Sequence, residues 1–427
     1  MNGAGRSLSR LQRLVSVTLL ALVATSWPLW LARDEFPSIP WFRCLTVIPN
    51  VVDALLLAGA LMLTVATLIC PDRPRLTALQ GSLWAMLVAL DQHRLQPWMY
   101  EFLLLLGILT MTRTPVAIRC SRAIVISIYF WSGLSKIDPG FIIDHGQMLL
   151  DGLLRALGLS AAFWTESQRH CAAALMPAGE LLIALLLTFR RTRRTGLYAT
   201  WLMHATLLLT LGPWGLHHEP GVLLWNLFFL LQNSILFREP PPQTTPTTPD
   251  LPSFVNDRLA QTVTALALWL PLLNPLDYWD NWPSWSVYSS HPGIVELSIQ
   301  DEDVSRLPSS LQPLVDPPQP LTDWRRVRLD QWSFAVRRVP PYPQDRWKLA
   351  VARAVIDRAQ LTSRARLSIS IRPSWWSPTR IAQLVPTSSR DMPQGRMNAN
   401  TAPRDSEVIQ EADEAATFSD RLYEFDG

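Results

Sequence analysis

Long stretches without a single ionised side chain dominate the first two thirds of this 427-residue chain, and they restrict its fold more than any motif does. A helix that crosses a bilayer needs roughly 20 mostly apolar residues. About nine segments meet that need, near 12–31, 49–70, 76–94, 97–112, 119–137, 171–189, 195–212, 220–237 and 257–274. The third and fourth are parted only by the break before Pro97, so two separate helices and one re-entrant unit both stand as readings. The fold class expected is a polytopic α-helical membrane protein with about nine transmembrane helices and a small C-terminal α+β domain.

Composition agrees: 48% of residues are hydrophobic and only 17% charged, with the charges concentrated in the last third. Arg6, Arg10 and Arg13 precede the first apolar run. "ATSWPLW" is a poor cleavage site for a signal peptidase, so an uncleaved first span is expected. A formal charge of +3 and the lack of a basic stripe with interleaved aromatics argue against nucleic acid as a partner. Cys44, Cys70, Cys120 and Cys171 show no metal-type or C-x-x-C spacing, so no metal site is expected. A Cys44–Cys171 disulfide requires both to face an oxidising side.

Loop cations set the expected orientation. With the N-terminus in the cytoplasm, the cytoplasmic connections carry Arg73 and Arg75, then Arg113, Arg119 and Arg122, then Arg190, Arg191, Arg193 and Arg194, then Arg238 and Arg258. The other side carries Asp138, Asp144, Asp151, Glu166 and Glu219. The localisation expected is therefore an integral multi-pass membrane protein with a non-cytoplasmic C-terminal domain. Residues 1–275 form the transmembrane domain in this reading, 276–387 the α+β domain and 388–427 a disordered polar tail. A Pro/Thr linker covers 238–252. In the α+β domain, alternation predicts strands at 293–300, 332–339 and 365–372, and an amphipathic helix at 344–360.

Polar residues inside the apolar runs are the functional candidates. Lys136 follows "YFWSGLS" and shares a helix face with Ser132, Gly133 and Tyr129. Small and hydroxylated neighbours suit a lysine aimed into a helix bundle, while snorkelling to the membrane surface is the competing reading. A lysine kept away from water is easier to deprotonate and can act as a base. Glu180 falls near mid-span, where a carboxylate must be protonated, paired or facing a wet cavity. His204 is mid-span with Thr200 one turn away, and a satisfied core histidine competes with a catalytic one. Asp91, Gln92, His93, Arg94 and Gln96 form a polar knot in which Arg94 and Asp91 could pair. With His217, His218 and Lys136 the knot outlines a polar pocket open to the outer leaflet. Lys136, His204 and Glu180 are the candidate catalytic residues; Tyr129, Ser132, Asp91, Gln96 and Trp98 are the candidate substrate contacts.

The run "YFWSGLSKIDPGF" resembles the vitamin K-dependent gamma-glutamyl carboxylase family and its bacterial relatives, the horizontally transferred transmembrane (HTTM) domain proteins. The family's proposed base falls on Lys136, its membrane carboxylate on Glu180 and its histidine on His204. "DYWDNWPSWSVYSSHPGIVELSI" is similar to the family's Trp- and Tyr-rich approach to its lumenal domain. The resemblance implies oxidation of a reduced quinone of the vitamin K or menaquinone type by oxygen, with a peptide or protein substrate as a further partner. Where the carboxylases have Asn-Asn-His, this chain has Arg94, Leu95 and Gln96, which leaves glutamate carboxylation without a titrating group. Spans five to eight also resemble DoxX/MauE-type membrane proteins, which implies a non-catalytic redox helper. A membrane scaffold that binds a partner through its outer domain is the third reading.

Overall fold

In a computed structural model, residues 3–31, 35–112, 115–238, 256–318, 322–372, 377 and 379–387 are described. Most of the 238–252 linker and the 388–427 tail lie outside these residues.

Among the described residues, twelve α-helices precede the sheet: α1 (Gly3–Thr25), α2 (Trp27–Trp30), α3 (Asn50–Ile69), α4 (Pro74–Leu90), α5 (Pro97–Met111), α6 (Val116–Ser135), α7 (Pro139–Ile143), α8 (His145–Ala156), α9 (Glu166–Thr188), α10 (Arg193–Leu211), α11 (Pro220–Phe237) and α12 (Asp257–Trp269). A 3-10 segment carries α12 on to Leu276. Pro74, Pro97, Pro139 and Pro220 open α4, α5, α7 and α11, where the missing N–H costs no helical bond. At α9, Thr165 and Gln168 form a reciprocal capping box.

Among the described residues, five helical stretches are long and apolar enough to cross a membrane: Gly5–Thr25, Asn50–Ile69, Glu166–Thr188, Pro220–Phe237 and Asp257–Leu276. The α3 face bearing Leu55, Met62 and Ile69 is 68–69% exposed, as a lipid-facing stripe would be. The other four predicted spans coincide with helices that fall short. Helices α4 and α5 are 17 and 15 residues long, and the 3-10 turn Gln92–Arg94 separates them. Both α6 and α10 are long enough, but Arg119 and Arg122 lie in the first turns of α6 and Arg193 and Arg194 begin α10.

Polar side chains tie α1, α3 and α4 together inside the bundle. Thr67 Oγ1 donates to Gln80 Oε1 at 2.8 Å, and Trp84 Nε1 donates to Thr64 Oγ1 at 3.0 Å. In lipid these bonds, rather than apolar burial, bind helix to helix.

The C-terminal part folds as β1 (Ile294–Gln300), β2 (Trp324–Val327), α13 (Leu329–Arg337), α14 (Asp345–Arg358), β3 (Ala365–Ile371) and β4 (Ile381–Val385). The sheet order is β2-β1-β3-β4, antiparallel throughout, with Leu297 of β1 opposite both Val327 and Leu367. These three residues and Ile299 are buried on the face where α14 supplies Ala350, Val351, Ala354 and Val355. The strand predicted at 332–339 is mostly α13 instead. Trp332, Ser333 and Arg337 are the residues this helix buries, a spacing of one helical turn, and the run W-S-F-A-V merely mimics alternation. β2 and β4 have no counterpart in the sequence reading.

A fully buried arginine, Arg337, holds the junction of the two parts, and a second, Arg94, secures the helical side of it. Arg337 donates to the carbonyls of Pro28 and Leu29 within α2 and of Leu31 and Phe36 beyond it, and stands 4.0 Å from Asp91. Arg94 makes a two-pronged bond to Asp53 of α3 at 3.0 and 2.9 Å. The Arg94–Asp91 pair expected from the sequence is therefore replaced. Sequence neighbours on a tight turn point apart, and each finds a partner from a distant segment.

Candidate functional site

Lys136 caps the C-terminal end of α6. Its Nζ lies 2.9 Å from both oxygens of Glu180 and 2.5 Å from Ser132 Oγ. The lysine side chain is 5% exposed and the glutamate's 14%, so the ammonium is held inside the bundle and does not snorkel. Gly133 makes the approach of α9 feasible: a Cβ there would stand 3.0 Å from Pro177 O and 3.1 Å from Glu180 Cβ. Pro177, inside α9, has no N–H to donate back along its own helix.

One to two turns earlier on α6, Tyr129 begins a second network. Its hydroxyl is 2.7 Å from His204 Nε2 and accepts from Asn233 Nδ2 at 2.6 Å. On the other side of the ring, His204 Nδ1 is 2.8 Å from Asn226 Oδ1. An amide oxygen can only accept, so the imidazole carries its hydrogen on Nδ1. Nε2 is then the acceptor for the tyrosine O–H, and the chain of donors runs Asn233, Tyr129, His204, Asn226.

A third buried polar group escaped the sequence reading. Glu101 of α5 is 0% exposed and accepts from Trp225 Nε1 at 2.8 Å and Gln232 Nε2 at 2.7 Å. The rule that singled out Glu180 applies equally to a carboxyl in "YEFLLLLGIL". Its partners, with Asn226 and Asn233, line one side of the otherwise apolar α11.

The remaining candidates lie elsewhere. Asp91 accepts from the backbone N–H of His93 at 3.1 Å and of Ile39 at 3.4 Å, close to Arg337 of the C-terminal part. Gln96 and Trp98 line a cavity of about 650 Å³ between the helix ends and the sheet domain. His218 lines it too, and its ring meets Tyr288 edge-on at 6.1 Å. Lys136, Glu180, Tyr129, Ser132 and His204 do not line it. The single pocket outlined by the sequence is thus divided between a polar centre within the bundle and a cavity at the junction.

The two are joined by a short stretch of chain. Asp138, two residues after Lys136, caps α7 by accepting from Phe141 N. It also accepts from Arg372 Nη1 at 2.7 Å and from the Ser290 hydroxyl. Burial raises the Asp138 carboxyl, but the Ser290 hydroxyl and Arg372 outweigh it and hold it below the usual value. Burial pushes the neighbouring His291 imidazole down to about 4, against the pull of Asp138.

Among the described residues no group of three or more His, Cys, Asp or Glu side chains could hold a metal ion, and the four cysteines are free. The Cys44–Cys171 disulfide is not formed. No family model, curated protein or solved structure matches the chain.

Proposed function

We propose that the chain is an integral membrane enzyme of the gamma-carboxylase-like, HTTM kind that oxidises a reduced quinone with oxygen at the Lys136–Glu180 centre. The observation that carries this reading is the buried ammonium, which touches both carboxylate oxygens and the Ser132 hydroxyl. A reduced quinone would supply the electrons for oxygen. Its hydroxyl fits this donor set because the glutamate keeps a partly open edge through which a lipid-soluble molecule can approach. Glu180 takes the ammonium proton, and the freed amine is then the base for a quinol hydroxyl. Ser132 orients Nζ, while Tyr129, on the same helix, leads to a second proton acceptor, His204 Nε2 of α10. Gln96 donates to His93 O at 2.9 Å and supplies no titrating group, so the proposal stops short of glutamate carboxylation.

The same proposal takes the nine apolar segments as spans, with the N-terminus cytoplasmic and the sheet domain outside. The loop arginines support that orientation.

The test is a purified-protein assay with reduced menaquinone and oxygen. Wild type should consume quinol and take up oxygen, and Lys136→Met should not. Equal rates would remove this chemistry from the centre.

A scaffold reading is favoured by one observation: the ion pair ties α6 to α9 whether or not chemistry occurs. In that case Lys136→Met/Glu180→Met would keep partner binding through the outer domain.

A further inference from the structure

The cavity at the junction is not used by the proposed reaction, yet its walls are unlike a passive gap. One end is apolar, built by Leu22, Trp98, Ile143, Val222 and Trp225 at the ends of membrane helices and their loops. The other end carries the outer domain's cations Arg326, Arg338, Lys348, Arg372 and Arg380. Against these five stand three lining carboxylates, Asp144, Glu219 and Asp330.

Several of the cations are already engaged. Arg380 donates to the carbonyls of Ser370, Ser290 and Pro292, and Lys348 donates to Gly293 O. Three other lining nitrogens are buried without a hydrogen-bond partner: Arg372 Nε, Trp347 Nε1 and His145 Nδ1, the last with the Asp144 carboxylate 3.6 Å away. The Arg372 side chain is only 7% exposed and Trp347 only 2%. A buried donor left unmade costs about 1–3 kcal/mol, more when charged. Open nitrogens on three separate elements, all lining one cavity, call for a polar, acceptor-rich ligand group among them.

We infer that this cavity binds a single-chain amphiphile whose anionic head, a phosphate or carboxylate, sits against Arg372, His145 and Trp347 while its chain lies among Leu22, Trp98, Val222 and Trp225. A free anion would satisfy the donors but leave the apolar end bare. A neutral lipid would fill that end and leave the donors bare. A volume of about 650 Å³ is in the usual range for sites that enclose a small ligand. Arg372 also holds Asp138 through Nη1, so the head binds beside the segment that leads back to Lys136.

The test uses the full chain in a neutral maltoside detergent, with binding read by native mass spectrometry. The probes are dodecyl phosphate, dodecanol and inorganic phosphate. One equivalent of dodecyl phosphate should bind, and the other two at least about tenfold more weakly. Arg372→Gln should weaken dodecyl phosphate by about tenfold or more, because a charge-assisted bond is lost. Val222→Trp, which fills the apolar end without touching the donors, should weaken it as well. Should Arg372→Gln fail to fold, Trp347→Phe removes one open donor and keeps an aromatic ring. Wild-type affinity in Val222→Trp together with Arg372→Gln or Trp347→Phe overturns the site. Equal binding of dodecanol overturns the anionic head, and equal binding of inorganic phosphate overturns the chain. Because the readout is binding, a wild type without quinol turnover leaves this result standing.

Discussion

Gly133 of α6 lies so near Pro177 of α9 that an added Cβ would stand 3.0 Å from the proline's carbonyl oxygen. The two helices meet at that glycine, and Lys136 and Glu180 are carried within reach as a result. Gly133→Val should push the helices apart and cost about 2 kcal/mol by overpacking. Thermal inactivation in detergent would register the loss. A variant as stable as wild type would mean that the helices do not meet there.

Lys136→Met strands a buried carboxylate. The expected destabilisation is about 3 kcal/mol, the usual consequence of removing one partner of a buried pair. Lys136→Met/Glu180→Met removes both charges and should recover most of it. Paired melting curves of the single and double variants settle the matter, and a double variant no better than the single would mean the pair is not coupled.

Tyr129→Phe deletes the hydroxyl between Asn233 and His204. Two buried polar groups then lose a partner, at about 1–3 kcal/mol in total. If the tyrosine serves only stability, quinol turnover per folded molecule should be unchanged; a role in proton transfer predicts a shifted pH–rate profile.

Acid should loosen the junction. The unfolded imidazole of His291 titrates at 6.5 and the folded one at about 4, so protons bind the unfolded chain more readily. Its contribution is complete above pH 6.5 and fades as pH falls from there toward 4. Asp138 has a depressed value, and its contribution fades at lower pH still. The melting temperature should therefore drop from pH 7 to pH 4, and His291→Asn should flatten the upper part of that drop. An unchanged slope in the variant would assign the effect to other groups.

Arg337→Met should free the C-terminal domain from the helices, since it removes the donor to four backbone carbonyls and the cation facing Asp91. Limited proteolysis within 277–387 should become faster by tenfold or more, on the order of the loss of a buried charged partner. Wild-type resistance would show that the joint rests on apolar contacts.

What the sequence made legible follows from the range of the forces involved. The apolar runs marked every long helix because hydrophobic composition is local. Strands β1 and β3 and helix α14 were visible in the same way. β2, "WRRV", is four residues long with two arginines side by side, so no alternation could reveal it; it exists because Val327 finds Leu297 across the sheet. Lys136 and Glu180 were singly conspicuous, but their pairing depends on how α6 crosses α9, which no local pattern encodes. For the same reason Asp91 was matched with Arg94, its neighbour in sequence, when Arg94 reaches back 41 residues to Asp53. Glu101 obeyed the same local rule as Glu180 and was legible in principle.

The Arg337 clamp spans some 300 residues of chain, from Pro28 to the end of α13. A ribosome has released the whole membrane bundle before that guanidinium emerges. Until then, the carbonyls of Pro28, Leu29, Leu31 and Phe36 must keep other partners, such as water. Assembly of this protein therefore waits on a residue far downstream of the helices it joins, and a chain cut short before residue 337 would lack that clamp altogether.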